Sequence, residues 1–170
     1  SSDLPALRLL PEHYSIVALC TTRMETASNA ARQLGVPHAF DNVERMLASL
    51  PEIDIVCVSV RPAFHHAVVM AALGAGKHVY CEQPLGLTAL QAEEMHAFAK
   101  QQGVRTVVGH QTHYEPAVLQ MADLVRKGYL GRPLTFSQTE FFSNYIVPRP
   151  ANRRSEEHTS ELQSRFGISY

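Results

Sequence analysis

The stretch IDIVCVSVRPAFHHAVVMAALGAGKHVYCEQPLG, residues 53–86, limits what this chain can fold into more than any other. Ile53 to Val60 is a continuous apolar, β-branched run, the pattern of a central strand in a parallel sheet covered on both faces. Phe64 to Leu73 follows at helical spacing, with Phe64, Val68, Ala71 and Ala72 on one side, and Gly74 and Gly76 stand where a C-terminal cap is wanted. His78 to Cys81 then reads as a second short strand. Strand, crossover helix and strand make a βαβ unit, and ligands of such sheets sit beyond the carboxyl ends of the strands. Those ends are Val60-Arg61-Pro62 and Glu82-Gln83-Pro84.

The flanking residues extend this pattern to both sides. Leu4 to Leu10 is an apolar helical piece ending at Pro11, and Ser15 to Cys20 reads as a buried strand. Met24 to Leu34 is helical by composition, with Gly35 as its cap and Pro37 as a stop, and Asp41 or Asn42 caps a helix from Val43 to Leu50. Thr88 caps a helix from Ala89 to Gln102, with a stripe of Leu90, Met95 and Phe98 and Gly103 at its end. Arg105 to Gly109 reads as another buried strand, and Glu115 to Lys127 as a helix closed by Gly128. Leu134 to Phe142 switches to alternation, the mark of a half-exposed strand opening a second, α+β domain. The fold class expected is α/β, a doubly wound parallel sheet of Rossmann type.

Residues 154–170, RSEEHTSELQSRFGISY, back-translate into the DNA of a common short-read sequencing adapter interrupted by a sample index. This stretch is therefore expected to be read-through that takes no part in the fold. Without its two Arg and three Glu, the 15 basic and 16 acidic residues of the chain become 13 and 13. That balance, with no basic block, argues against partners such as nucleic acid or anionic lipid. No apolar run reaches the length of a membrane span and no signal peptide is evident, so a soluble cytoplasmic protein is expected. Cys20, Cys57 and Cys81 lie in apolar runs without C-x-x-C spacing, which favours reduced core thiols over disulfides or a metal site.

His65, Ala72, Leu73, Gly76, Lys77, His78, Val79, Glu82 and Pro84 follow a pattern of His, then A-L-x-A-G-K-H-V, then E-K-P. In these residues the chain resembles the Gfo/Idh/MocA oxidoreductases, over residues 3 to 150. It departs from the family in Val60-Arg61, where T-P is usual, and in Gln83, where the family has Lys. The resemblance implies an NAD(P)-dependent oxidoreductase that moves hydride between a nicotinamide and a sugar or polyol-like substrate, as a homo-oligomer. It also implies that the chain is cut at both ends. Residues 1–130 would be a dinucleotide-binding domain lacking its first strand and G-x-G-x-x-G turn, and 131–153 the start of a substrate and oligomerisation domain. The one G-x-G, Gly74-Ala75-Gly76, closes a helical stretch instead of opening one, and no G-x-G-x-x-G occurs in the sequence. Since amides of that turn hold the pyrophosphate, the isolated chain is expected to bind dinucleotide weakly and to be inactive alone.

Cofactor-binding candidates follow from both lines of reading. Thr21, Thr22 and Arg23 close the first strand at the turn where NAD-binding folds place a carboxylate on the ribose 2′-hydroxyl. Hydroxyls and a guanidinium there suit a 2′-phosphate and hence NADP, while a Thr22 helix cap with a solvated Arg23 is the alternative. Glu82 ends its strand with Pro84 holding Gln83 extended, and by resemblance Glu82 lies near the nicotinamide ribose. Gln83 takes the position of the catalytic Lys but has no titratable proton. Val60, Arg61, His65 and Gln111 are further cofactor contacts by resemblance, with His113 beside them, and the His residues show no metal-ligand spacing. Gln83 also keeps open a second class: a non-catalytic nucleotide-binding sensor or transcriptional regulator, since the branch of fungal galactose-regulon repressors likewise lacks that Lys.

Overall fold

The structure is a computed structural model in which residues 3–137 are described. The expected adapter segment and most of the expected strand from Leu134 to Phe142 lie outside the described residues, and residues 131–137 carry neither helix nor strand. By contacts the chain divides into one unit ending at Ala122 and a second beginning at Asp123.

The first unit alternates helix and strand. α1 (Asp3–Arg8), β1 (Ala18–Cys20), α2 (Met24–Leu34), β2 (His38–Phe40) and α3 (Val43–Ser49) are followed by β3 (Ile55–Val58) and, after a 3-10 turn at Pro62–Phe64, α4 (His65–Gly74). Next come β4 (His78–Glu82), α5 (Ala89–Gln102), β5 (Thr106–Gly109), a second 3-10 turn at Gln111–Tyr114 and α6 (Pro116–Arg126). β1 pairs with β2, and β3, β4 and β5 form a sheet in that order, every pairing parallel. Parallel neighbours require crossovers, which α2, α4 and α5 supply.

Local chemistry sets the helix ends. Asn42 caps α3, its side-chain oxygen accepting from Arg45 N at 2.8 Å, and Thr88 caps α5 through Gln91 N at 3.2 Å. α2 stops at Gly35, whose φ of 59° is left-handed and open to glycine at little cost. The Thr22 cap raised as the alternative reading of this turn is not formed. Arg23 occupies the cap position of α2 and makes no side-chain cap bond.

The core lies between the three-stranded sheet and its helices. Val56, Val58, Val79 and Cys81 from the strands meet Met46, Leu47, Val69, Ala72, Leu73, Met95 and Ala99 from α3, α4 and α5. Truncating a fully buried side chain such as Leu73 to Ala would cost about 2–5 kcal/mol. Two expectations about faces are corrected. β3 alternates rather than being covered on both sides: Val56 and Val58 are buried while Ile55 and Cys57 are exposed, because the packed helices press on one face only. The inward residues of α4 are His65, Val69, Ala72 and Leu73 rather than the set led by Phe64, and Leu90 of α5 is 74% exposed instead of joining Met95. β5 is likewise half covered, with Thr106 and Val107 exposed. β2, three residues between Pro37 and Asp41, was not expected.

Candidate active site at the strand ends

The parallel register lines up the carboxyl ends of the strands. Val58 pairs with Cys81, and Glu82 with Gly109, so the residues that follow β3, β4 and β5 emerge side by side. Alternation along β4 buries Val79 and Cys81 among the helices and turns Tyr80 and Glu82 to the opposite face.

There the structure brings two expected residues together. Gln111 Nε2 donates to Glu82 Oε1 at 2.7 Å and to the Tyr80 hydroxyl at 3.2 Å. Gly109 makes this possible: a Cβ on it would stand 2.5 Å from the Tyr80 oxygen, so only a residue without a side chain lets the phenol lie across the strand. Tyr80 and Gly109 were missed from sequence. The H-V-Y-C-E alternation puts Tyr80 on the side of Glu82, but its meeting with Gln111 depends on a register that sequence does not give.

His65 lies deeper than expected. With 1% of its surface exposed, it sits beneath the two turns, Nδ1 2.8 Å from Pro84 O and Nε2 2.9 Å from Val60 O. It ties the turn after β3 to the turn after β4. Cys81 Sγ approaches the same Nδ1 at 3.4 Å, and burial, then the Glu82 charge, pushes its thiol up to about 12. Gln83 and Val60 are exposed on these turns, and the Arg61 guanidinium lies 5.2 Å above the Phe64 ring.

The turn after β1 lies apart from this cluster. Thr21 Oγ1 is 2.6 Å from Thr26 Oγ1 and donates to Arg23 O at 2.9 Å, a self-contained knot, while Thr22 and Arg23 are exposed. His110 and His113 stack at 5.3 Å, and no group of three potential metal ligands exists among the described residues.

The family model for the Gfo/Idh/MocA group, described as an oxidoreductase family with an NAD-binding Rossmann fold, matches residues 1–110. The chain belongs to the Gfo/Idh/MocA oxidoreductase family. Its relatives include dehydrogenase aclE of Aspergillus oryzae, 38% identical over 74% of this chain and 34% of that protein. Another is 1,5-anhydro-D-fructose reductase of Ensifer adhaerens, 31% identical over 83% of this chain and 41% of that one. Among solved structures, KijD10, a 3-ketoreductase from Actinomadura kijaniata in complex with TDP-benzene and NADP, is 28% identical with a TM-score of 0.67. That match covers 74% of this chain and 39% of that one. The chain thus spans roughly a third to two fifths of the length of these family members.

The strand-end residues fit the nicotinamide-ribose half of a dinucleotide. A carboxylate accepts ribose hydroxyls, and the carboxamide beside it, already turned by that carboxylate, offers a directed polar contact. No helix among the described residues is long and apolar enough to cross a membrane.

Proposed function

We propose that the protein is an NAD(P)-dependent oxidoreductase that exchanges hydride between a nicotinamide and a sugar or polyol-like substrate. The 2.7 Å bond between Gln111 and Glu82 carries this reading, because it joins the ends of β4 and β5 where a Rossmann sheet receives its ligand. When bound, the cofactor supplies or accepts the hydride. Glu82 holds the ribose, Gln111 faces the nicotinamide, Val60 and Arg61 wall the turn after β3, and His65 keeps both turns in place. The name of the anhydrofructose reductase supports the substrate class.

NADP is the preferred cofactor in this reading. Thr22 and Arg23 are exposed, the Thr21 hydroxyl is occupied locally, and the turn from Thr21 to Arg23 holds no carboxylate. Fluorescence titration of the intact parent with NADPH and NADH tests it. Arg23→Ala should weaken NADPH binding about tenfold or more, the worth of a charge-assisted hydrogen bond, and leave NADH within about twofold. Equal losses would point to a folding role for the turn.

A non-catalytic sensor is favoured by one observation: Gln83, exposed at the position of the family Lys, cannot move a proton. If the intact parent is an enzyme short of that group, Gln83→Lys in that parent should raise turnover of a sugar or polyol by about a hundredfold or more. Dinucleotide binding with no turnover by either form would favour the sensor.

A further inference from the structure

We infer that Tyr80 is a positioning residue that, with Glu82, fixes the polarity of Gln111, so that the site presents a carbonyl oxygen and selects a ligand bearing an N–H donor. A side-chain amide has a donor end and an acceptor end of nearly equal size, and its surroundings decide which end faces out. The Glu82 carboxylate only accepts, so the nitrogen of Gln111 must face it, as it does at 2.7 Å. One N–H remains, and the Tyr80 hydroxyl takes it at 3.2 Å. Both amide protons are then spent within the protein, and no described residue bonds Gln111 Oε1.

Tyr80 is held where it can do this. It stands on β4 two residues before Glu82, on the same face, and its ring reaches across the next strand because Gly109 has no Cβ. A side chain at 109 would meet the phenol oxygen at 2.5 Å and displace it. The glycine, the phenol and the carboxylate together set one amide.

Resting on the oxidoreductase reading above, the donor to be recognised is the carboxamide N–H of the nicotinamide. 3-Acetylpyridine nucleotides keep the carbonyl of that group and lack its N–H, so they isolate the contact.

The test uses this chain labelled with ¹⁵N, its Tyr80→Phe variant, and Gly109→Ala as a second route that keeps the hydroxyl but pushes it away. In the unaltered chain, the two Gln111 side-chain amide protons should be spread downfield and exchange slowly with solvent. In both variants one of them should move upfield and exchange at least several-fold faster, with backbone resonances of β4 and β5 retained. Unchanged Gln111 amide protons in two folded variants would overturn the positioning role. Nicotinamide mononucleotide and its 3-acetylpyridine analogue, titrated at millimolar concentration, then test the ligand class. The carboxamide form should bind about three- to tenfold more tightly, one neutral hydrogen bond, and Tyr80→Phe should shrink that preference. Equal binding of the two would overturn the donor selection. Binding of neither would count against the oxidoreductase reading, and the amide resonances would still decide the role of Tyr80.

Discussion

The turn after β1 and the ledge formed by the ends of β4 and β5 occupy equivalent places in their sheets, yet they are held by different means. Thr21, Arg23 and Thr26 bond one another within six residues of chain. Glu82, Gln111 and Tyr80 are joined across some thirty residues, with His65 bridging two further turns from below. A local knot survives small shifts of the sheet, whereas the ledge exists only while the register holds. In the proposed function the first meets the adenosine end of the cofactor, where charge suffices, and the second the reacting end, where orientation matters.

That contrast is most severely tested at His65. Its replacement by Leu removes the ring that both turns contact and leaves the carbonyl it donates to, Val60 O or Pro84 O according to the tautomer, to compete for water, at a cost of about 1–3 kcal/mol in denaturant unfolding. Native-state hydrogen exchange should quicken across residues 60–64 and 85–88 and stay unchanged at 24–27. Equal acceleration at both places would show that the two regions share one support.

A second test uses pH. Burial, and then the Glu82 charge, raises the Cys81 thiol to about 12 from its ordinary 9.0. The folded state therefore holds this proton more tightly than the unfolded chain. The resulting stability is fully present below pH 9 and is lost as pH climbs towards 12, at up to about 1.4 kcal/mol per unit. Comparing unfolding of Cys81→Ala with the unaltered chain across that window should show a shallower decline in the variant. Identical slopes would mean that Cys81 is not protected beneath the ledge.

The smallest effect belongs to the local knot. Thr21→Val should cost about 0.5–1 kcal/mol, and a double-mutant cycle with Thr26→Val should recover most of it as coupling. Any change in the Gln111 amide resonances in these variants would break the separation between the two regions.

Elements whose signals are local were legible in the sequence. Asn42, Thr88 and Gly35 end helices through their own short-range bonds or backbone freedom, and they do so where their residue types predict. Glu82 and Gln111 were legible as neighbours at the strand ends, since E-x-P and G-x-Q close two strands and the family resemblance singles them out, and the structure joins them by one hydrogen bond. Less was legible where the sequence is uniformly apolar. Val68-Val69-Met70-Ala71-Ala72-Leu73 offers no polar side from which to orient α4, and the run Ile53 to Val60 looks the same whether one face or two are covered. Tyr80 became meaningful only once Glu82 stood opposite Gly109, since parallel register is a tertiary property. His65 was legible as important but not as buried: a helix-start histidine gives no sign that two carbonyl oxygens converge on it.

The sheet order β3-β4-β5 also acts as a ruler. Adjacent strands are about 4.8 Å apart, so the outer two lie roughly 10 Å from each other. Residues leaving the three strand ends therefore span the breadth of a single nucleoside rather than that of an oligosaccharide. A long substrate would reach this ledge with one terminal ring only, and the discrimination among its other rings would have to be made by surfaces beyond the three-stranded sheet.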